Sequence, residues 1–196
     1  MSEPTPDLRT ERLELVPLAE IDADELSIVF ADPTLYHFIG GEPPDPQTLR
    51  DRFARLVVGR SADGTEDWHN WIVRTTVDGA AAGTVQATIH ASSRYAEIAW
   101  IIGVRWQGRG YASEAAQALV GWLGRIAVSE IVAYVHPDHA ASAAVAARAG
   151  LVATDEIQDG ERVWRLNPDA RLRGTFGPGI VRPTWERRPR QPRPTR

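Results

Sequence analysis

The stretch Gly103-Val-Arg-Trp-Gln-Gly-Arg-Gly-Tyr-Ala-Ser-Glu114 decides how the rest of the chain is read. A strand-like apolar run, Tyr95–Gly103, leads into it. After it the period changes to that of a helix, with Ala115, Leu119, Trp122, Leu123 and Ile126 on one stripe of Tyr111–Ile126. Backbone N–H groups at a helix N-terminus have no intrahelical partner and sit at the positive end of the helix dipole. They are a site for a pyrophosphate wherever no side chain blocks its approach. Gly108, Gly110 and Ala112 clear that approach, and Arg109 adds a positive charge. The segment Gln107–Ala112 is therefore expected to cradle the phosphates of a nucleotide cofactor.

Working outward, three strand-like runs follow one another before the turn: His69–Val77, Gly83–Ala91 and Tyr95–Gly103. Their short connections imply an antiparallel meander. Towards the N-terminus, Glu11–Leu18 alternates as a half-buried strand should. A helix capped by Asp22 or Asp24 is expected through about Ala31, ended by Pro33, and a second after Pro43–Pro46 with Leu49, Phe53, Leu56 and Val57 on one face. Ser61–Asp67 reads as a loop. Beyond the glycine-rich turn, Ile131–Val135 is a short apolar strand and Ala140–Ala149 a helix ended by Gly150. Leu151–Ile157 and Arg162–Leu166 form a hairpin around Gln158–Glu161. The expected fold is one α/β domain of the α+β type, with a mostly antiparallel mixed sheet of about seven strands and about four helices.

Composition narrows the chemistry. The 196 residues contain no cysteine, which excludes disulfides, thiolate metal sites and a cysteine nucleophile. All 22 basic residues are arginine, so a lysine Schiff base and a Walker lysine are excluded as well. Residues 169–196 hold eight arginines against Asp169 and Glu186, a charge of +6, which leaves −10 on residues 1–168. An acidic body with a basic Pro/Arg-rich extension does not suggest a nucleic-acid-binding domain. The domain is placed at 1–168 and the extension, read as solvated or as an arm to a partner chain, at 169–196. No apolar run approaches the ~18 residues of a membrane span, and the first residues lack a signal-peptide pattern, so a cytoplasmic location is expected.

The turn has other readings. Gly108-x-Gly110-x-x-Ser113 has the look of a degenerate dinucleotide fingerprint, with Glu130 twenty residues after Gly110. In dinucleotide folds, however, the acidic residue follows the second strand, whereas Glu130 precedes its strand. The plainest alternative is a glycine-rich turn that merely starts a helix.

Gln107-x-x-Gly110-x-Ala112 resembles the (Arg/Gln)-x-x-Gly-x-(Gly/Ala) cofactor signature of the GNAT superfamily of acetyl-CoA-dependent N-acetyltransferases. The resemblance runs from about Leu8 to Leu166. Leu8-Arg-Thr-Glu-Arg-Leu13, Ala96-Glu-Ile-Ala-Trp-Ile101 and Gln107-Gly-Arg-Gly-Tyr-Ala-Ser-Glu-Ala115 are similar to the branch that acetylates the N-termini of ribosomal proteins. It implies direct acetyl transfer from acetyl-CoA to a primary amine, on a protein N-terminus or a small molecule, with no metal. It also implies cofactor contacts from Ile102 and Val104 on the strand, from Gln107, Gly108, Arg109, Gly110, Tyr111, Ala112 and Ser113 at the turn, and from His139 and Ser142 on the next helix.

For the base, the resemblance points to Glu97, set among Ala, Ile and Trp; the alternative is a surface-facing glutamate. A carboxylate among apolar neighbours has its pKa raised by desolvation, which suits a base near neutral pH. The stretch Val135–Leu151 is similar to a family segment in which Asn stands where His139 is, and tyrosine, the usual acid, where Ala146 is. Ser142 is then the candidate partner of the coenzyme sulfur, or else an ordinary helix serine. Acceptor choice is expected in Leu35–Ser61 and Asp67–Asn70, and Trp71, Trp100 and Trp122 in the core. A homodimer is left open. A second function class, an acyl-CoA-binding sensor without turnover, is also consistent with the missing tyrosine and the replaced Asn.

Overall fold

The computed structural model describes residues 4–90, 92 and 95–166. The expected extension at 169–196 lies outside them. The meander is present: β1 (Leu8–Arg9), β2 (Leu13–Pro17), β3 (Glu66–Thr75), β4 (Ala81–His90) and β5 (Tyr95–Ile102) pair antiparallel in that order. β6 (Glu130–Val135) then joins β5 in parallel, and β7 (Leu151–Gln158) and β8 (Glu161–Leu166) complete one eight-stranded sheet of order β1-β2-β3-β4-β5-β6-β8-β7.

Five helices pack on this sheet: α1 (Ala23–Val29), α2 (Tyr36–Ile39), α3 (Pro46–Leu56), α4 (Tyr111–Arg125) and α5 (Ala140–Arg148). α3 begins where the sequence expects it, because Asp45 accepts from the Gln47 and Thr48 N–H groups and Pro46 stands in its first turn. The extra strand and the extra helix are β1 and α2. At two and four residues, neither is long enough for a period to show. β3 starts inside the expected Ser61–Asp67 loop, since Glu66 and Asp67 already pair with His90 and Ile89.

The sheet separates two apolar layers. On one face α4 and α5 bury Leu119, Leu123, Val145 and Ala146 against Leu13, Leu15, Trp71, Val85 and Ile98. Trp122 meets Trp71 edge-on at 5.0 Å and His69 at 4.8 Å, so both tryptophans belong to the core. On the other face α1 and α3 bury Leu26, Leu49 and Phe53 against Leu18 and Ile72. Among the described residues no helix is long and apolar enough to cross a membrane.

The parallel pair positions the site. Parallel strands need a crossover, and α4 provides it between β5 and β6. The two strands pair over three residues each, Tyr95–Glu97 with Glu130–Val132. β6 then continues with β8 through Val135, while β5 continues with β4 through Ile102. The far halves of β5 and β6 therefore diverge, and a gap opens in mid-sheet beside the N-terminus of α4. Ligands in open α/β sheets bind at such a place, beyond the carboxyl ends of parallel strands.

Candidate active site

The cleft at this gap has a volume of about 700 Å³. It is lined by Trp100–Ile102 from β5, by Trp106–Ser113 from the turn and α4, and by His139, Ala141, Ser142, Val145 and Arg148 from α5 and its approach. Of the expected cofactor contacts, Ile102, Gln107, Gly108, Arg109, Gly110, Tyr111, Ala112, Ser113, His139 and Ser142 all border it. Val104 does not; it begins a turn of 3-10 helix, Val104–Trp106, and is 41% exposed.

The turn is built for close approach. Gly108 and Gly110 both adopt left-handed backbone, at φ 72° and 81°, which L side chains avoid. A Cβ on Gly108 would meet nothing within 4 Å, so its outer face is open. The Gln107 side-chain amide donates to the Ile102 carbonyl at 2.9 Å and ties the turn to the end of β5. Gly110 caps α4, and the first N–H groups of the helix, with no partner inside it, face the cleft mouth. Arg109 and Arg148 border the same space with positive charge.

A clamp from the other end of the chain holds the turn. The Arg12 backbone N–H and its Nε donate to the two Glu114 oxygens at 2.9 and 2.7 Å, and the Thr10 hydroxyl donates to Oε1 at 2.6 Å. Arg12 also donates to the Arg109 carbonyl at 2.9 Å and lies over the Tyr111 ring. Burial alone would raise the Glu114 pKa, but the bonds from Thr10 and Arg12 more than offset it and hold the carboxyl below its ordinary value. The Leu8–Leu13 motif thus serves to fix the glycine-rich turn, a role that its sequence did not disclose.

Glu97 lies on the other face of the sheet. Tyr95, Glu97, Ala99 and Ile101 alternate with Ala96, Ile98, Trp100 and Ile102 along β5. Glu97 is 2% exposed and does not border the cofactor cleft. His90 Nε2 lies 3.1 Å from its Oε1, and the His90 ring stacks on Tyr95. Burial raises the Glu97 pKa, against the opposing effects of His90 and the Tyr134 hydroxyl. The surface-facing alternative does not hold. On this face a second cavity, lined by Phe30, Tyr36, Phe53, Asn70, Gln86 and Ala99, takes in parts of both segments expected to choose the acceptor.

Two cleft residues differ from expectation in their contacts. His139 precedes α5 without capping it through its side chain, and its ring stacks on Phe38 of α2 at 4.4 Å. Burial and the nearby His136 and His37 hold its pKa below the ordinary value. The rings of both His136 and His139 meet Phe38. Trp100 is not in the core proper. It walls the cleft, and its indole N–H donates to Ser142 Oγ at 2.9 Å.

These features match known proteins. The family model "Acetyltransferase (GNAT) domain" matches residues 12–152. Among solved structures, an acetyltransferase from Agrobacterium tumefaciens is 28% identical, with a TM-score of 0.67 over 85% of this chain and 97% of that one. RimL, a ribosomal L7/L12 alpha-N-protein acetyltransferase in complex with coenzyme A, is 19% identical, with a TM-score of 0.70 over 84% and 99%. The microcin C7 self-immunity acetyltransferase MccE, in complex with acetyl-CoA and AMP, is 17% identical, with a TM-score of 0.67 over 80% and 92%. No curated protein sequence matches the chain. With the family match spanning β2–β5, the glycine-rich turn, α4 and α5, the chain belongs to the GNAT acetyltransferase family.

Proposed function

We propose that the protein transfers the acetyl group of acetyl-CoA directly to a primary amine. One observation carries the reading: β5 and β6 part after three paired residues, and the gap opens onto a glycine-rich helix N-terminus on one face and a small cavity of about 50 Å³ on the other. The residues present fit the coenzyme. The left-handed glycines and the α4 N–H groups would receive the pyrophosphate with Arg109 and Arg148, while Trp100–Ile102 and Ser142 would border the thiol end. Bound there, acetyl-CoA would supply the activated acetyl thioester.

The chain's own residues divide the remaining work. Glu97, on the acceptor face, takes a proton from the ammonium form of the amine through water, since neither its carboxylate nor the His90 ring beside it borders either cavity. Ser142, which lines the cleft, would border the thiol end and stabilise charge developing on sulfur. Phe30, Tyr36 and Phe53 give the acceptor cavity an apolar wall, and Asn70 and Gln86 a polar one. Arg52 lines it as well, and its volume of about 50 Å³ leaves room for little more than the amine-bearing end of an acceptor.

Thiol release from acetyl-CoA, followed with a panel of N-terminal peptides, polyamines, aminoglycosides and amino acids, tests the reading. At least one amine should raise release at least tenfold above background and appear acetylated by mass spectrometry. Tight coenzyme binding without release for any amine would favour an acyl-CoA-binding regulatory module.

A further inference from the structure

We propose that Trp100 is a positioning residue of the transfer step, whose indole N–H fixes the Ser142 hydroxyl so that its hydrogen is presented to the coenzyme sulfur. The proposal rests on the acetyl-CoA reading of the cleft. Trp100 sits where β5 has already parted from β6, on the face that carries α5. Its bond to Ser142 reaches from β5 to α5 across the gap. Trp100 borders the cleft, the small cavity on the opposite face, and a third cavity between β5 and β6 that Tyr134, His136, His139 and Ser142 also line, so this bond lies at the boundary where the two substrates would meet.

The hydrogen-bond inventory sets the direction. An indole N–H can only donate, so Ser142 Oγ must accept. A hydroxyl has one hydrogen and two lone pairs; with one lone pair engaged by Trp100, the hydrogen points away from the indole. Accepting one bond also strengthens the bond that the same oxygen donates, by roughly 10–30%. Of the α5 residues that border the cleft, Ser142 carries the hydroxyl, and Ala146 is fully buried in the core. A tyrosine acid at that position would have no room, and the Trp100–Ser142 pair stands in its place.

In the step assigned to it, the amine nitrogen bonds to the acetyl carbon. The carbon–sulfur bond breaks and its electron pair goes to sulfur. The ammonium form of the amine gives up two protons. One passes to Glu97 and on to solvent. The other replaces the hydrogen that Ser142 hands to sulfur, leaving the amide, the free thiol and one released proton.

Calorimetry with coenzyme A and with desulfo-coenzyme A, in which hydrogen replaces the thiol, isolates this contact from the acceptor. Wild type should prefer coenzyme A about fivefold, the worth of one hydrogen bond. W100F and S142A should each lose that preference, and W100F/S142A should lose nothing more than either. With an acceptor, W100F should lower kcat five- to tenfold while KM for acetyl-CoA stays within twofold. A preference kept by W100F but lost by S142A overturns the role of Trp100 and leaves Ser142 in place. Failure of both coenzymes to bind wild type overturns the acetyl-CoA reading, and the proposal with it. Should W100F not fold, the Trp100 indole N–H resonance of the wild-type protein takes over the test: it should shift in S142A and on addition of coenzyme A, and an unmoved signal overturns the proposal.

Discussion

In the proposed reaction, the role given to Glu97 depends most on burial. Its carboxyl sits in the sheet with His90 on one oxygen, and desolvation raises its pKa above the ordinary 4.5. The base form exists above that raised value, so the rate should fall as pH drops through it. Glu97→Gln should lower kcat by about 10²–10⁴ and remove that acidic limb, while acetyl-CoA affinity stays within twofold. An unaltered limb in kcat against pH would remove Glu97 as base. Stability follows the same sign. A folded-state pKa above the unfolded one means that the folded chain binds more protons in between, so the contribution of Glu97 is greatest below pH 4.5 and is lost as pH rises through the folded value. Glu97→Gln should therefore melt higher than wild type near neutral pH, with the gain shrinking towards pH 4.

At the scale of elements, the glycine-rich turn is held by a distant strand turn. Thr10 and Arg12 close on Glu114 in the first turn of α4, and Arg12 reaches back to the Arg109 carbonyl. Glu114→Ala should cost about 2 kcal/mol in urea denaturation, the scale of a hydrogen-bonded charged group, and weaken acetyl-CoA at least tenfold. Arg9→Ala is the contrast: its pair with Glu14 is 78% exposed on the arginine side, and its loss should stay within about 0.5 kcal/mol. Because the Glu114 pKa is lowered, the clamp's contribution is present above pH 4.5 and is lost as pH falls through the folded value. A denaturation midpoint for Glu114→Ala equal to that of wild type at pH 7 would show that the clamp does not hold the turn.

Over the whole molecule, the sequence shows what is periodic or local. The meander, the α4 stripe and the Gly108–Gly110 turn are readable because strand alternation, helix period and glycine's left-handed backbone each act within a few residues. β1 and α2 are not, since two and four residues hold no period. The site is legible in the same proportion. Cleft residues on the turn come from one short stretch, whereas the Arg12–Glu114 clamp joins positions 102 apart and the Trp100–Ser142 bond positions 42 apart. No local pattern encodes those distances. Trp100 reads as a core tryptophan until the parting of β5 from β6 places it on the cleft. Whether Glu97 faces solvent is not legible either, until the fold buries it with His90 and Tyr134 around it.

The central claim is that the parted strands and the α4 N-terminus together form the acetyl-CoA site. Calorimetric titration of acetyl-CoA into wild type and Gly110→Glu tests it most directly. At φ 81° a side chain is strained, and its Cβ would come within 3.4 Å of the Arg12 guanidinium that holds the turn. Micromolar or tighter binding to wild type and none to a folded Gly110→Glu is the predicted result; equal affinity in the two proteins would contradict it.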